Sequence, residues 1–145
     1  MIPIRIYREF AMKTAIDSSV LIDLVIDDPK YADSSERLLR QARSEGGLVV
    51  CEVVLAEISP VLSATDVPAF LESLGIQFEP SNFESSLLAG EMFRKYLKRK
   101  RSEGRRRTVP DFLIGAHALT FCDRLLARDR GFFRDYFKGL EVLSE

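Results

Sequence analysis

Short apolar segments that stop at or just before an acid alternate along this chain with stretches of helical period. That alternation restricts the fold more than any other feature. Lys13-Thr14-Ala15-Ile16 reads as a strand ending at Asp17. Leu48-Val49-Val50-Cys51 reads as a buried strand by its length and β-branching, and Gly75 to Phe78 as a third. Arg124 to Ala127 reads as a fourth, ending near Asp129, and Leu140 to Leu143 as a last one. Between them, Val20, Leu21, Leu24 and Val25 recur at helical spacing, and Ala32 to Ser44 is amphipathic up to Gly46-Gly47. A helix carries Val54, Leu55 and Ile58 with Pro60 near its end, and Pro68 to Leu74 opens another. Phe83 to Lys100 reads as a long helix with Phe83, Leu87, Leu88, Met92, Tyr96 and Leu97 near one side. Pro110 starts a further helix, and Phe132 to Phe137 is a short helix or turn. Strands that alternate with helices require crossover connections, which are right-handed, and so predict an α/β fold with a mostly parallel sheet covered on both faces. In such sheets ligands bind beyond the carboxyl ends of the strands. Chemistry is therefore sought there.

At 145 residues the chain is long enough for one domain with a real core. A composition of 46% hydrophobic and 30% charged residues is globular, neither disordered nor membrane-spanning. No apolar run approaches the roughly 18 residues of a membrane span. The opening MIPIRIYREF lacks the pattern of a secretory leader. Cys51 and Cys122 sit apart in apolar stretches and read as buried free thiols, which points to a cytoplasmic address. One histidine and two scattered cysteines exclude a Cys/His zinc centre. The net charge of −1 conceals an asymmetry. Nine of the 21 basic residues, and only one of the 22 acids, lie between Arg94 and Arg107. Arg94, Lys98, Arg99, Lys100, Arg101, Arg105, Arg106 and Arg107 are accordingly candidate contacts for an anionic partner, against the plainer reading of a solvated face.

Four acids stand out. Asp17 and Asp129 follow apolar strands, so a parallel sheet points both to one end; each could equally be a helix cap. Glu57 stands among Val53, Val54, Leu55, Ala56 and Ile58 on a helix expected to pack on the core, where a carboxylate needs a partner. Asp111 completes a capping box with Thr108 across Pro110, yet an acid at a helix start can also project into a strand-end cleft. Carboxylates gathered in one cleft need raised pKa values or bound cations. All-oxygen donors suit Mg²⁺ or Mn²⁺, ions that activate water for phosphodiester cleavage. His117 lies six residues beyond Asp111, about 240° around the helix, and is expected to be structural.

These residues fall in segments that resemble the PIN-domain ribonucleases, and most of all the VapC toxins of type II toxin–antitoxin systems. AIDSSVLIDL at 15 to 24, VVLAEI at 53 to 58, PDFLIGAHAL at 110 to 119 and LLARDRGFFRDY at 125 to 136 match the family's motifs in order. The resemblance covers nearly all of the chain from Met12 onward. It implies a three-layer α/β/α PIN-like fold over residues 12–145, preceded by an N-terminal extension at 1–11. It implies Asp17, Glu57, Asp111 and Asp129 as catalytic and metal ligands for Mg²⁺ or Mn²⁺, with Ser18 and Ser19 supporting them. It further implies endonucleolytic cleavage of RNA, a homodimer, and a cognate VapB-like antitoxin that covers the active site. The chain departs from the family at Ala127, where Thr or Ser is usual. An RNA-processing nuclease of the same fold without an antitoxin is the alternative, separable by a neighbouring antitoxin gene. A phosphorylated receiver-like domain is disfavoured, because no lysine ends a late strand. A catalytically dead RNA-binding relative is disfavoured by the presence of all four acids.

Overall fold

The computed structural model describes residues 11–99 and 106–145. Twelve elements follow one another among the described residues: β1 (Thr14–Ile16), α1 (Ser18–Val25), α2 (Ala32–Glu45), β2 (Leu48–Val50), α3 (Glu52–Leu62), α4 (Val67–Leu74), β3 (Ile76–Phe78), α5 (Phe83–Arg99), α6 (Val109–Phe121), β4 (Arg124–Leu126), α7 (Arg130–Tyr136) and β5 (Glu141–Leu143). The five strands form one sheet in the order β3-β2-β1-β4-β5, and every neighbouring pair is parallel. Thr14 stands opposite both Leu48 and Arg124, and Ile16 opposite Leu126. The expected α/β/α architecture is what the chain adopts.

The strand order explains where a cleft must open. From β1 the chain adds β2 and then β3 on one side, then crosses to build β4 and β5 on the other. Connections leaving β1 and β4 therefore diverge, and a crevice is left beyond their carboxyl ends. The backbone N–H of Asp17 donates to the carbonyl of Leu126 at 2.9 Å, so the two strand ends are tied together at the floor of that crevice.

β1, β2 and β4 are buried at every position, as expected for strands covered on both faces. Ile16, Leu21, Val50, Ile58, Leu125 and Leu126 form the centre of the core. Beside it an aromatic cluster surrounds Phe112, whose ring lies 5.1 to 5.6 Å from those of Phe93, Tyr96, Phe132 and Tyr136. This cluster packs α5, α6 and α7 together. Arg124 is a buried cation inside the sheet: its guanidinium donates to Thr14 Oγ1 at 2.9 Å and to Glu45 at 3.1 Å.

Two expectations change. On α5 the inward residues are Ser85 and Ala89, with Leu88, Met92, Phe93 and Tyr96 partly buried against the core. Phe83, Leu87 and Leu97 are exposed, Phe83 at 77%. The apolar residues of this helix spread over more than one face, so spacing alone did not find the buried one. Cys51 is buried as expected, but Cys122 is only part-buried. Burial nonetheless pushes both thiols upward, that of Cys122 to about 12, which leaves neither a nucleophile at neutral pH.

Candidate active site

Asp17, Glu57, Asp111 and Asp129 line one cleft of about 540 Å³ at the carboxyl ends of β1 and β4. Ser18, Ser19, Ile22, Tyr31, Arg107, Arg128 and Phe133 complete its walls. Each acid reaches the cleft by a different local route, and they differ in whether they cap a helix.

Asp17 is the residue before α1, but its side chain makes no capping bond to that helix. Its Oδ2 instead accepts from the Ser19 hydroxyl at 2.6 Å. Burial raises its pKa above the ordinary carboxylate value, and the charges of Glu57 and Asp111 raise it further against the Ser19 bond. A cap is not its purpose here. Asp129 does cap α7, through Oδ1, which accepts from the Phe132 N–H at 3.2 Å. Its Oδ2 forms an ion pair with Arg107. Asp111 keeps the predicted capping arrangement: Oδ2 accepts from the Thr108 N–H at 3.2 Å, and the helix start is thereby fixed.

Glu57 corrects the sequence expectation in one respect. It is exposed, because α3 buries only Val54 and Ile58. The stripe of the helix that carries Glu57 faces the cleft and solvent. Its Oε1 accepts from the buried Ser18 hydroxyl at 2.8 Å. Ser18 and Ser19, neighbours in sequence, thus hold two different carboxylates.

The four acids share a cleft without closing on one point. Among the described residues no three His, Cys, Asp or Glu side chains stand at the spacing of a formed metal centre. The donor set nevertheless fits a hard divalent cation: all-oxygen ligands, one of them part-buried with a raised pKa, and several like charges within reach of one another.

Of the basic candidates, Arg107 enters the cleft. Its guanidinium lies 4.1 Å from the centre of the Phe132 ring, and its backbone N–H donates to the Tyr96 hydroxyl at 2.9 Å. Arg94 pairs with Glu91 on its own helix, and Arg99 lies over the Tyr136 ring at 5.4 Å. Lys98 is an exposed residue of the last turn of α5, and Arg106 is exposed just ahead of Arg107. Lys100, Arg101 and Arg105 lie outside the described residues, as does the expected extension apart from Ala11. His117 is buried away from the cleft and donates from Nε2 to the Glu79 carbonyl at 2.7 Å. Burial lowers its pKa, so it stays neutral.

One site residue escaped the sequence reading. Arg128 reaches across the cleft wall to Asp23, at 3.2 Å, with its guanidinium carbon 4.2 Å from the centre of the Tyr31 ring. Asp23 is fully buried and also accepts from the Ser35 hydroxyl at 2.8 Å. The signal was present in SSVLIDLV, where Asp23 is an acid inside an apolar helix.

The sequence matches the PIN domain family model over residues 14–138. No curated protein matches it. Among solved structures, VapBC2 from Rickettsia felis bound to a DNA fragment from its promoter is 15% identical, with a TM-score of 0.67 over 92% of this chain and 98% of that one. VapBC-1 from nontypeable Haemophilus influenzae is 17% identical, with a TM-score of 0.65 over the same shares. VapC20 of Mycobacterium tuberculosis, a toxin that cleaves the sarcin–ricin loop, is 16% identical, with a TM-score of 0.59 over 88% of this chain and 98% of its own. These likenesses agree with the parallel-sheet fold. A family match across almost the whole described fold makes the chain a member of the PIN-domain family.

Proposed function

We propose that this protein is a divalent-metal-dependent endoribonuclease, the toxin of a VapBC-type toxin–antitoxin pair. The observation that carries the proposal is the meeting of four carboxylates at the topological switch of the sheet. Solved neighbours in VapBC complexes, and one that cleaves the sarcin–ricin loop, support the toxin assignment.

Asp17, Glu57, Asp111 and Asp129 would hold Mg²⁺ or Mn²⁺, which when bound supplies an activated water and a counter-charge for the leaving oxygen. The chain's own residues prepare that site. Ser19 orients Asp17 and Ser18 orients Glu57 through single hydroxyl bonds. The caps of α6 and α7 fix where Asp111 and Asp129 can stand. The basic run from Arg94 to Arg107 is suited to neighbouring phosphates of the same strand. A VapB-like antitoxin and a second copy of the chain are the expected partners.

The test uses purified, antitoxin-free protein on total RNA, with cleavage ends mapped. Cleavage is expected in Mg²⁺, none in EDTA, and a loss of at least about a thousand-fold in Asp17→Ala and Asp111→Ala. Both variants should keep their cooperative melting. A folded wild type that neither binds Mg²⁺ nor cuts any RNA overturns the proposal. Light scattering on the isolated protein reads the dimer, and co-purification with the product of an adjacent small gene reads the antitoxin.

A further inference from the structure

We propose that Arg107 is a resident counter-cation of the acidic cleft, holding Asp129 until a divalent cation displaces it. The inference rests on the reading of the cleft as a metal site.

Four observations converge on it. The Arg107 side chain is only 11% exposed, so it is docked rather than extended into solvent. It forms an ion pair with Oδ2 of Asp129. The residue is gripped at both ends, its backbone N–H by the Tyr96 hydroxyl and its guanidinium by the face of Phe132. Phe132 also donates the N–H that caps with Asp129, so one residue sets the position of both members of the pair.

The other three acids have different partners. Asp17 takes a hydroxyl, Glu57 a hydroxyl and Asp111 a backbone N–H. Neutral donors leave the charge of a carboxylate available to a cation, whereas a guanidinium offsets it. Competition of this kind is reciprocal. A divalent cation weakens the hold of Arg107 on Asp129, and Arg107 weakens the cation's hold on the cleft. The freed guanidinium would then stand at the mouth of the cleft, at the end of the basic run.

The experiment is a Mn²⁺ titration of the full chain, read from the electron paramagnetic resonance signal of free Mn²⁺. Wild type, Arg107→Gln, Asp129→Asn and the double variant are compared. Arg107→Gln is expected to bind Mn²⁺ about ten-fold tighter than wild type, the size expected when one nearby positive charge is removed. In the Asp129→Asn background the same change is expected to shift affinity less than about two-fold, as a double-mutant cycle requires of a pairwise effect. Folded Arg107→Gln that binds no tighter than wild type overturns the inference, as does an equal gain in both backgrounds. A readout on unmutated protein covers the case in which Arg107→Gln does not fold. The ¹⁵N–¹H signal of the Arg107 side-chain Nε is expected to move and lose its protection from exchange on adding Mg²⁺, and an unchanged signal in Mg²⁺-loaded protein refutes displacement. Absence of Mn²⁺ binding in wild type and every variant instead removes the metal reading itself, and the inference with it.

Discussion

At the scale of single residues, the acids of the cleft differ in what each costs the fold. Asp17 has a pKa raised by burial and by the charges of Glu57 and Asp111. The folded chain therefore binds this proton more tightly than the unfolded chain does. The sign follows: stability falls as pH rises from the ordinary carboxylate range through the raised value. In EDTA at neutral pH, Asp17→Asn is expected to melt higher than wild type. A gain of about 1 kcal/mol is typical of relieving a strained functional site, or roughly 3 °C for a domain of this size. The gain should vanish well below the ordinary aspartate value of 3.8, where the group is protonated in both states. Saturating Mg²⁺ should reverse the order. Melting curves across pH, with and without metal, check all three.

Asp23 and Glu57 show what the sequence could and could not supply at this scale. Both are acids among apolar neighbours. The same inference applies to each, and it holds for Asp23, which is buried against Ser35 and Arg128, but not for Glu57, which faces solvent at the cleft. A helix has one wet stripe, and neighbours in sequence do not say which residue occupies it. Arg128→Met is expected to destabilise by about 1–3 kcal/mol in urea unfolding, because it strips a buried carboxylate of its cation while Arg128 itself is half-exposed.

At the scale of elements, α6, which carries Asp111 in its first turn, shows why that helix is apolar with small residues in its middle. A Cβ on Gly115 would stand 2.3 Å from the Phe137 ring, closer than real atoms approach. Gly115 therefore lets Phe137 lie against the helix one turn beyond Asp111. Gly115→Ala should cost about 1–3 kcal/mol by overpacking, more than the roughly 1 kcal/mol that alanine returns in helix propensity. Pairing it with Phe137→Leu should recover part of the loss in denaturant melts. The turns, strands and helix starts were legible because Gly46-Gly47, Pro110 and the β-branched runs are local signals. The inward face of α5 was not. Leu87 and Leu97 lie outside while Ala89 is buried, a choice made by the ring cluster around Phe112 on neighbouring elements.

At the scale of the molecule, the fold places an acidic cleft beside Arg107, the end of the basic run. RNA affinity measured without metal is expected to fall with salt, with a log–log slope of about −0.7 per phosphate neutralised on a single strand. Replacing Lys98 and Arg99 with Gln should flatten that slope by about 1.4 units if both contact phosphates. An unchanged slope would assign those residues to the solvated face. The strand order was not legible residue by residue. The alternation of elements predicted a mostly parallel sheet, and parallelism alone predicted the end of the sheet at which Asp17 and Asp129 line one cleft.

The uniform direction of the five strands has a practical consequence. β1 enters the sheet from the end opposite the cleft, whereas β5 leaves it at the cleft end, where Ser144 accepts from Arg130 and Glu145 pairs with Arg37. An affinity tag or fluorescent fusion joined after Glu145 would emerge on the working side of the molecule and crowd whatever approaches it. One joined directly ahead of Met12, in place of the residues before it, starts from the far side, which is the better handle for immobilising the protein with its cleft open.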